Sequence, residues 1–404
     1  MTTRTLLWVN RFLGRYGGAE ENILVTAKKL KEKYHSHFLY SESCVDGELL
    51  FQDVFEKKFN VPFEDDEKNA EQTVQILKET SPDLIFVHNC DSVAMMNTFL
   101  ESGIPVVRMN HDHEVYCLRG NKYFPLLGLR CPFKGSMCCL FPGLAFLKRN
   151  AKDGRLCWNN IDYSYRRRRL ALDQKCDLII TNSHYMKKEL AHQGYDPKRI
   201  EVVHPPTRID IDLQFRSNFS NHNIILFVGQ VIRGKGLDVL LKALTYIEHP
   251  YRLVVLGKGN DLPYCRKLAQ KLGISSKVDF EGWVPAEEMD HYYRQATLGV
   301  VPSVWLEPFG AVGVEMMQHG LPVVAFDTGG ISDWLQDGKT GFLVPWKDTK
   351  KLAQKIDLLL TNKEKSKELG KRGREFALEM FNTERLVARL DQLFEKIISV
   401  GVSR

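Results

Sequence analysis

The sequence predicts an α/β protein made of two parallel-sheet domains that face a central cleft. Three observations lead to this fold class. Short apolar runs typical of buried strands alternate with amphipathic helical patterns, and the alternation occurs twice along the chain. At 404 residues the chain is longer than one hydrophobic core usually serves. A proline pair and a polar run separate the two halves, as expected at a domain boundary.

The first half begins with Thr5 to Val9, an apolar run that predicts a strand. A glycine turn at 14–18 follows, and apolar residues then recur at helical spacing, at Ile23, Leu24, Ala27 and Leu30. The later buried-strand runs are Leu84 to His88, Val106 to Met109 and Leu178 to Thr181. Residues 118–165 break this rhythm because they are rich in Gly, Pro, Cys and aromatic residues. We interpret them as an insertion or a mobile loop.

The boundary between the domains is predicted at His204-Pro205-Pro206-Thr207, so that residues 1–205 form the first domain and residues 206–380 the second. The second half restarts with a strand at Ile224 to Val228 and a helix whose apolar stripe is Leu237, Leu240, Leu241, Leu244 and Ile247. Its sheet continues at Leu253 to Leu256, Val278 to Phe280, Leu298 to Val301 and Val323 to Phe326. Helical patterns close the chain, and residues 381–404 are predicted to form the last helix.

The most informative segment runs from Glu307 to Glu315, two carboxylates that stand eight positions apart. Between them, Pro308 and Gly310 predict a turn, and a helix that runs to Gly320 is expected to start there. Exposed amides at a helix start favour anionic groups, whereas carboxylates accept paired hydrogen bonds from vicinal hydroxyls. The combination predicts a site for a molecule that is part phosphate and part sugar. A surface loop with two solvated glutamates is the alternative.

A second glycine turn, Gly229 to Gly236, lies directly after a strand and before a helix, where a diphosphate would be held. Lys235 and Arg233 bring positive charge, which would assist the departure of a phosphate leaving group. An ordinary βα turn is the alternative. Gly17 and Gly18 precede the first helix of the first domain, and alone they are a weak signal.

Polar residues end two strands of the first domain. His111 follows the run Val106 to Met109, and the carboxyl end of a parallel strand is well placed to face a cleft. Asp112 or Glu114 could orient its imidazole or bind an acceptor. Another strand ends at His88-Asn89, which we expect to line the same cleft. A structural role is the alternative for a lone histidine.

These segments resemble the signature of the family 4 retaining glycosyltransferases, which carry an E-x7-E motif and have the GT-B fold, two Rossmann-like domains around a cleft. Asp327-Thr328-Gly329-Gly330 and Gly338 to Val344 share the resemblance, and weaker matches extend over nearly the whole chain. The resemblance implies transfer of a hexose from a nucleotide diphosphate sugar, linked to UDP or GDP, with retention of configuration at the anomeric carbon. It also implies that the last helix crosses back to the first domain.

The resemblance implies catalytic roles for three residues: His111 beside the transferred sugar, Lys235 at the departing phosphate and Glu307 on the sugar hydroxyls. Glu315 would hold the ribose hydroxyls. The implied donor-binding residues are Gly17, Gly18, Gly229, Gln230, Arg233, Phe309, Gly310, Ala311, Val312 and Glu315. Gln230 departs from the family pattern, which usually has arginine there, and we expect Arg233 to compensate. No metal and no cofactor enter this scheme.

Charge is unevenly distributed. The net charge is +6, yet residues 108–188 alone hold 16 Lys or Arg against 6 Asp or Glu, with Arg166 to Arg169 the densest part. Such a segment could bind anionic lipid, a phosphate-bearing acceptor or nucleic acid. The alternative is a solvated helix face. No nucleic-acid motif accompanies it, so we expect no nucleic-acid partner. A glycan or lipid-linked acceptor fits better, as in cell-surface polysaccharide or glycolipid synthesis.

The sequence has no apolar run of about 18 residues, so no membrane span is expected. Leu6 to Val9 is too short for the core of a signal peptide, and we expect a cytoplasmic protein, peripheral on the inner face of the membrane. Five of the nine cysteines cluster, at Cys117, Cys131, Cys138, Cys139 and Cys157. A structural metal at the last four is one interpretation. Buried thiols are the other, because the spacing matches no zinc pattern.

Two other functions are compatible with this architecture. A sugar-nucleotide epimerase shares the two domains, but it would need acid and base residues on either side of the sugar. A non-catalytic GT-B-like binding subunit is favoured only by Gln230, and the presence of Glu307, Glu315, Lys235 and His111 argues against it.

Overall fold

The computed structural model describes residues 3–14, 17–44, 47–63, 66–124, 128–135, 147–149, 156–158, 162–206 and 223–401. These residues form two α/β domains, each built on a parallel sheet with an apolar core on either face. The predicted fold class is confirmed. Among the described residues, no helix combines the length and the apolar character that a bilayer crossing requires.

The first domain is built on seven parallel strands in the order β13-β12-β7-β6-β1-β3-β5. The strands within this domain are β1 (Arg4–Val9), β2 (Phe12–Leu13), β3 (Tyr34–Tyr40), β4 (Glu42–Ser43), β5 (Lys57–Asn60), β6 (Leu84–Val87), β7 (Val106–Asn110), β8 (Tyr123–Phe124), β9 (Leu129–Arg130), β10 (Leu147–Arg149), β11 (Leu156–Trp158), β12 (Leu178–Thr181) and β13 (Ile200–Val202). Its helices are α1 (Gly18–Leu30), α2 (Gly47–Leu50), α3 (Asp66–Thr80), α4 (Val93–Glu101), α5 (Tyr163–Asp173) and α6 (His184–His192). Trp8 pairs with Phe38 on one side and Phe86 on the other, so large aromatic side chains fill the centre of the sheet.

The second domain is built on six parallel strands in the order β16-β15-β14-β17-β18-β19. These strands are β14 (Ile224–Val228), β15 (Arg252–Leu256), β16 (Val278–Gly282), β17 (Leu298–Val301), β18 (Val323–Phe326) and β19 (Gly341–Val344). Its helices are α7 (Leu237–Leu244), α8 (Leu262–Lys271), α9 (Met289–Gln295), α10 (Ala311–Gln318), α11 (Thr349–Thr361) and α12 (Lys363–Met380). The predicted strands of this half are confirmed. Apart from β16, which carries Asp279 and Glu281, they are almost continuous apolar runs, as expected where both faces of a parallel sheet are buried.

The last helix, α13 (Thr383–Gly401), packs on the first domain. The ring of Phe394 meets that of Phe86 edge-on at 4.9 Å. The Tyr34 hydroxyl donates to Asp391 at 2.6 Å, and Lys33 pairs with the same carboxylate at 2.8 Å. The helix that follows the second domain therefore packs against the first domain.

The strand β3 lies between β1 and the edge strand β5 of the first sheet, and it was not predicted from the sequence. Its first four residues are Tyr, His, Ser and His, so that no long apolar run marks it, yet six of its seven positions are buried. Two polar residues on it, Ser36 and His37, are buried. The Ser36 hydroxyl accepts the indole N–H of Trp8 at 3.2 Å, whereas Nδ1 of His37 has no hydrogen-bond partner among the described residues. Burial in this strand follows from the sheet around it.

The predicted insertion, 118–165, is described only in part, and that part includes two small antiparallel hairpins, β8–β9 and β10–β11. The first hairpin contacts the second domain. Arg130 stacks over the ring of Trp346 at 4.5 Å and donates to the Asp327 carbonyl at 2.9 Å. Lys347 donates to the carbonyl of Gly128. This hairpin is therefore a bridge between the domains.

A buried ion pair ties the helix α5 to the first sheet. Arg108 and Asp173 are each 2% exposed, and their side chains meet at 2.5 Å. The Tyr195 hydroxyl also donates to Asp173, at 2.6 Å. Burial alone would lower the pKa of Arg108, but the charge of Asp173 raises it above its ordinary value.

We expect Asp173→Asn to lower the free energy of unfolding by about 3–5 kcal/mol, because it leaves the Arg108 guanidinium buried without its counter-charge. Urea denaturation measures this difference. Asp53→Asn, at an exposed position of the same domain, is the matched control and should change stability by less than about 0.5 kcal/mol. An equal effect of the two substitutions would contradict the prediction.

Candidate functional site

The turn between the two predicted carboxylates is present, and α10 begins directly after it. Gly310 adopts a left-handed conformation, with φ of +85°, which an L side chain rarely adopts. The side chain of Phe309 is buried, and the Trp334 indole donates to its carbonyl at 2.6 Å. The first amides of α10 have no preceding turn to accept them, so this helix start can receive acceptor oxygens of a ligand.

The carboxylate of Glu307 is buried and fully engaged. Lys235 Nζ lies 2.8 Å from one of its oxygens. The other oxygen accepts from Ser303 Oγ at 2.7 Å and from the Trp305 indole at 2.6 Å. Lys235 and Glu307 are 72 residues apart in sequence, and the fold brings their side chains together. From the sequence, Lys235 was assigned to the donor phosphate and Glu307 to the sugar hydroxyls.

The Lys235–Glu307 pair sets the charge of this carboxylate. Burial raises the pKa of Glu307, but the positive charge of Lys235 and the hydrogen bonds from Lys235, Trp305 and Ser303 outweigh it, and the pKa falls below its usual value. Glu307 is therefore an anion whose partner is a cation with some access to solvent, since the Lys235 side chain is 22% exposed. An incoming phosphate could therefore approach the lysine at its solvent-accessible part.

The glycine turn that carries Lys235 packs tightly on the segment before Glu307. Gly236 has a φ of +72°, and a Cβ there would lie 1.9 Å from the Pro302 carbonyl oxygen. The carbonyl of Gly234 accepts from the backbone N–H of Val304 at 2.8 Å. Only glycine fits at position 236, and this close contact holds Lys235 within reach of Glu307.

Arg233 points to two carboxylates in this structure. Its Nε lies 3.1 Å from Asp261 and its Nη1 3.7 Å from Asp238, and the guanidinium stacks over Tyr264 at 4.2 Å. Gln230 is exposed. Compensation of Gln230 by Arg233 remains a prediction, and it requires the guanidinium to leave or share these partners.

In the first domain, His111 is paired with a second histidine. Its Nε2 lies 2.8 Å from Nδ1 of His88, and the two rings stack at 5.0 Å. Asp112, which the sequence suggested could orient this imidazole or bind an acceptor, accepts the backbone N–H of Glu114 at 2.7 Å. Burial and the charge of Arg108 lower the pKa of His111 to about 3, so its ring is neutral at physiological pH.

His88 is fully buried in an aromatic environment. Trp8 stacks beside it at 5.8 Å, and Phe86 meets it edge-on at 4.3 Å. Burial lowers the pKa of His88 well below its usual value. Its Nε2 is buried and has no hydrogen-bond partner among the described residues. Because buried N–H donors without a partner are rarer than acceptors without one, the favoured tautomer carries its proton on Nδ1 and donates it to His111.

The two domains meet through hydrogen bonds close to these residues. His113 is buried, and its Nε2 donates to the Leu306 carbonyl at 2.8 Å, one residue before Glu307. The Ser183 hydroxyl donates to the Pro308 carbonyl at 2.5 Å. His113 thus has a structural role, and it joins the strand end that carries His111 to the turn that carries Glu307.

The comparisons with known proteins point to one family. Residues 16–210 match the family model Glycosyltransferase Family 4, and residues 210–376 match Glycosyl transferases group 1. The two models adjoin and together span most of the chain. The chain belongs to the glycosyltransferases of the family 4 type.

Curated relatives match this glycosyltransferase over one part of its length. A D-inositol 3-phosphate glycosyltransferase of Catenulispora acidiphila is 35% identical over 207 residues, which is 46% of this chain and 49% of the relative. Spore coat protein SA of Bacillus subtilis is 32% identical over 195 residues, 45% of this chain and 52% of that protein. The matches span about half the length of these relatives.

Solved structures resemble the glycosyltransferase over nearly its whole length. A glycosyltransferase from Rickettsia africae has a TM-score of 0.76 at 17% identity, with 98% of this chain and 99% of that chain covered. HepE of Anabaena in complex with UDP and glucose has a TM-score of 0.73 at 17% identity, with 97% and 100% covered. At this level of identity the likeness shows the fold, and the fold is GT-B.

The remaining predicted donor residues of the glycosyltransferase lie at two helix starts. Gly17 and Gly18 are exposed at the start of α1, and a Cβ at Gly18 would meet nothing within 4 Å. Glu20 behind them is buried and accepts from Asn10 at 3.1 Å, and burial raises its pKa. In the second domain, Glu315 is half-buried on α10 and accepts from the Tyr293 hydroxyl at 3.0 Å.

The predicted cysteine cluster falls mostly outside the described residues. Cys138 and Cys139 lie outside them, as does the side chain of Cys157. Cys117 and Cys131 are buried free thiols. A structural metal at the cluster therefore remains a prediction from sequence.

Proposed function

We propose that this glycosyltransferase moves a hexose from a UDP- or GDP-linked sugar to a glycan or lipid-linked acceptor, with retention at the anomeric carbon. The observation that carries the proposal is the buried Lys235–Glu307 pair at the start of the helix that bears Glu315. The His113–Leu306 hydrogen bond joins this pair to the strand end of His111. HepE, a protein of the same fold, is known in complex with UDP and glucose.

In the proposed reaction, the bond from the anomeric carbon to the donor phosphate breaks while the bond to the acceptor oxygen forms on the same face. The leaving phosphate accepts the proton of the acceptor hydroxyl, so no covalent nucleophile is required. Lys235 stabilises the charge that develops on the phosphate. The amides from Phe309 to Val312 contact phosphate and sugar. The ring of His111 lies beside the sugar in this proposal. Because the ring is neutral, it does not repel the positive charge that develops on the sugar in the transition state.

Glu307 has two functions in this proposal. It holds Lys235 in place before the donor binds, as the 2.8 Å contact indicates. Once the donor phosphate draws Lys235 away, the released carboxylate oxygen can accept hydrogen bonds from sugar hydroxyls.

Nucleotide binding tests the donor side of the proposal. We expect one of UDP, GDP, ADP and CDP to raise the melting temperature above the others, and Glu315→Ala to abolish the difference because the ribose hydroxyls lose their acceptor. A ligand at 100 times its Kd adds about 2.7 kcal/mol of stability, which corresponds to a shift of several degrees. Differential scanning fluorimetry measures the shift.

Glu375→Ala is the matched control, since this glutamate is 65% exposed on α12 of the same domain and should leave the nucleotide response intact. A response to no nucleotide would favour the non-catalytic alternative. Product analysis with the preferred donor then distinguishes a new glycoside from an epimerised donor, and the latter would refute the proposed transfer.

The acceptor side rests on the basic helix α5. Arg166 donates to the Glu114 carbonyl at 3.0 Å, and Arg169 is buried in an ion pair with Asp91 at 2.5 Å. Arg167 and Arg168 are exposed. We propose that these two arginines contact an anionic membrane surface or a phosphate-bearing acceptor. On this proposal the enzyme acts in the cytoplasm, at the inner face of the membrane. It would take part in the synthesis of cell-surface polysaccharide or glycolipid.

We expect Arg167→Gln with Arg168→Gln to weaken binding to vesicles that contain anionic lipid, by about 2 kcal/mol for the pair at low salt. Vesicle sedimentation over a series of lipid charges measures it. Lys267→Gln with Lys271→Gln removes the same charge from the exposed face of α8 and serves as control. Binding that does not depend on lipid charge would count against a membrane surface.

A further inference from the structure

A group of metal-ligating side chains lies outside the proposed catalytic residues, where the two domains and the linker meet. His184 is the first residue of α6 in the first domain, His204 lies in the linker after β13, and Asp333 ends the short 3-10 helix Gly329–Asp333 of the second domain. One ligand atom from each lies within 4.8 Å of the other two. Nothing in the proposed transfer uses them.

A backbone contact fixes the tautomer of His204. Its Nδ1 lies 2.9 Å from the Asn182 carbonyl and donates to it, so Nε2 is left as an unprotonated nitrogen. The ring stacks on Phe309 at 5.3 Å and meets Phe381 edge-on at the same distance. In metal sites, the ring nitrogen that does not bind the metal usually donates a hydrogen bond to a group such as a backbone carbonyl. This hydrogen bond fixes the tautomer and the orientation of the ring.

Asp333 and His184 provide two further ligand atoms at nearly the spacing that a metal requires. Asp333 Oδ2 lies 3.0 Å from His184 Nδ1, and it accepts the backbone N–H of His184 at 2.7 Å. Two ligands that are each about 2.0–2.1 Å from a tetrahedral ion lie roughly 3.3 Å apart. The Asp333 side chain is 6% exposed, whereas the His184 ring is 69% exposed. A bound ion would replace the proton that the two side chains share in this hydrogen bond.

We propose that His184, His204 and Asp333 bind a first-row transition-metal ion of the Zn²⁺ class. The ion would connect both domains and the segment between them. Two imidazoles and one carboxylate suit Zn²⁺ or Co²⁺, whereas Mg²⁺ and Ca²⁺ prefer oxygen ligands throughout. The fourth position would be open to water. Because His204 stacks on Phe309, the ion would also support the turn that carries Glu307, and it would hold the domains in the arrangement seen here. The inference does not depend on the proposed transfer.

The test is a Co²⁺ titration of the full chain, prepared without a histidine tag and freed of metal by a chelator. We expect one equivalent of Co²⁺ to produce the visible absorption of a tetrahedral site, Zn²⁺ to displace it, and Mg²⁺ to leave it unchanged. His184→Ala and Asp333→Asn should weaken binding by at least about tenfold, since even an outer-shell partner contributes about 10- to 100-fold. Asp333→Asn keeps the side-chain shape and the acceptor for the His184 amide, so it separates loss of a ligand from loss of the fold.

His249→Ala is the matched control. His249 forms an exposed pair with Asp357 at 2.8 Å, but this pair is not part of any three-residue group of ligands among the described residues. Its substitution should leave Co²⁺ binding unchanged. No saturable binding by the wild type, or equal binding by the wild type, His184→Ala and Asp333→Asn, would overturn the proposal.

Discussion

Lys235→Ala is expected to lower kcat by about 10²- to 10³-fold, the usual loss when one preorganised contact to a developing charge is removed. Lys235 carries the positive charge that lies against Glu307, with its Nζ 2.8 Å from the carboxylate. The same substitution leaves the Glu307 carboxylate buried without a counter-charge, which costs about 3–5 kcal/mol of stability. Turnover and stability therefore both fall in this variant.

The double variant Lys235→Ala with Glu307→Gln separates the two effects. The neutral amide no longer needs a cation, so we expect most of the lost stability to return while kcat stays low. Steady-state kinetics and urea denaturation measure the two quantities. Arg233→Ala is the comparator, and a loss there as large as that of Lys235→Ala would support compensation of Gln230. Near-normal turnover in both Lys235→Ala and Glu307→Ala would show that the catalytic assignment is wrong.

His88→Phe is expected to lower kcat by about tenfold, the equivalent of one hydrogen bond, without lowering stability. The phenyl ring fits among Trp8 and Phe86, and it replaces a nitrogen that is buried without a partner among the described residues. What is lost is the Nδ1 contact that holds His111 at 2.8 Å. His111→Phe should cost more, about 10²-fold, because it removes the side chain beside the sugar itself.

His88→Asn is the rescue variant, since its amide nitrogen can occupy the position of Nδ1 and donate to His111. We expect kcat to recover in part. Long-range ¹H–¹⁵N correlation spectra of histidine-labelled protein report the tautomers directly and should show the proton of His88 on Nδ1. Loss of stability in His88→Phe together with unchanged kcat would indicate a structural role and refute the positioning role.

The sequence by itself determined the two-domain α/β fold. Apolar strand runs and helical stripes are local patterns. They predicted five of the six strands in the second domain's sheet and four of the seven in the first domain's sheet. The turn at Gly310 and the helix that follows are also local, since a left-handed glycine and a helix start are encoded within a few residues. The family followed from the same short segments.

Only the tertiary structure decided how the site is assembled. The contacts between Lys235 and Glu307, His88 and His111, and His113 and Leu306 join residues 72, 23 and 193 positions apart. No periodicity or propensity encodes such pairs, because they depend on which strand ends the sheet order places side by side. For the same reason the sequence assigned Glu307 to the sugar alone, whereas in the folded protein its burial requires a cation, and Lys235 is the residue that the fold brings to it.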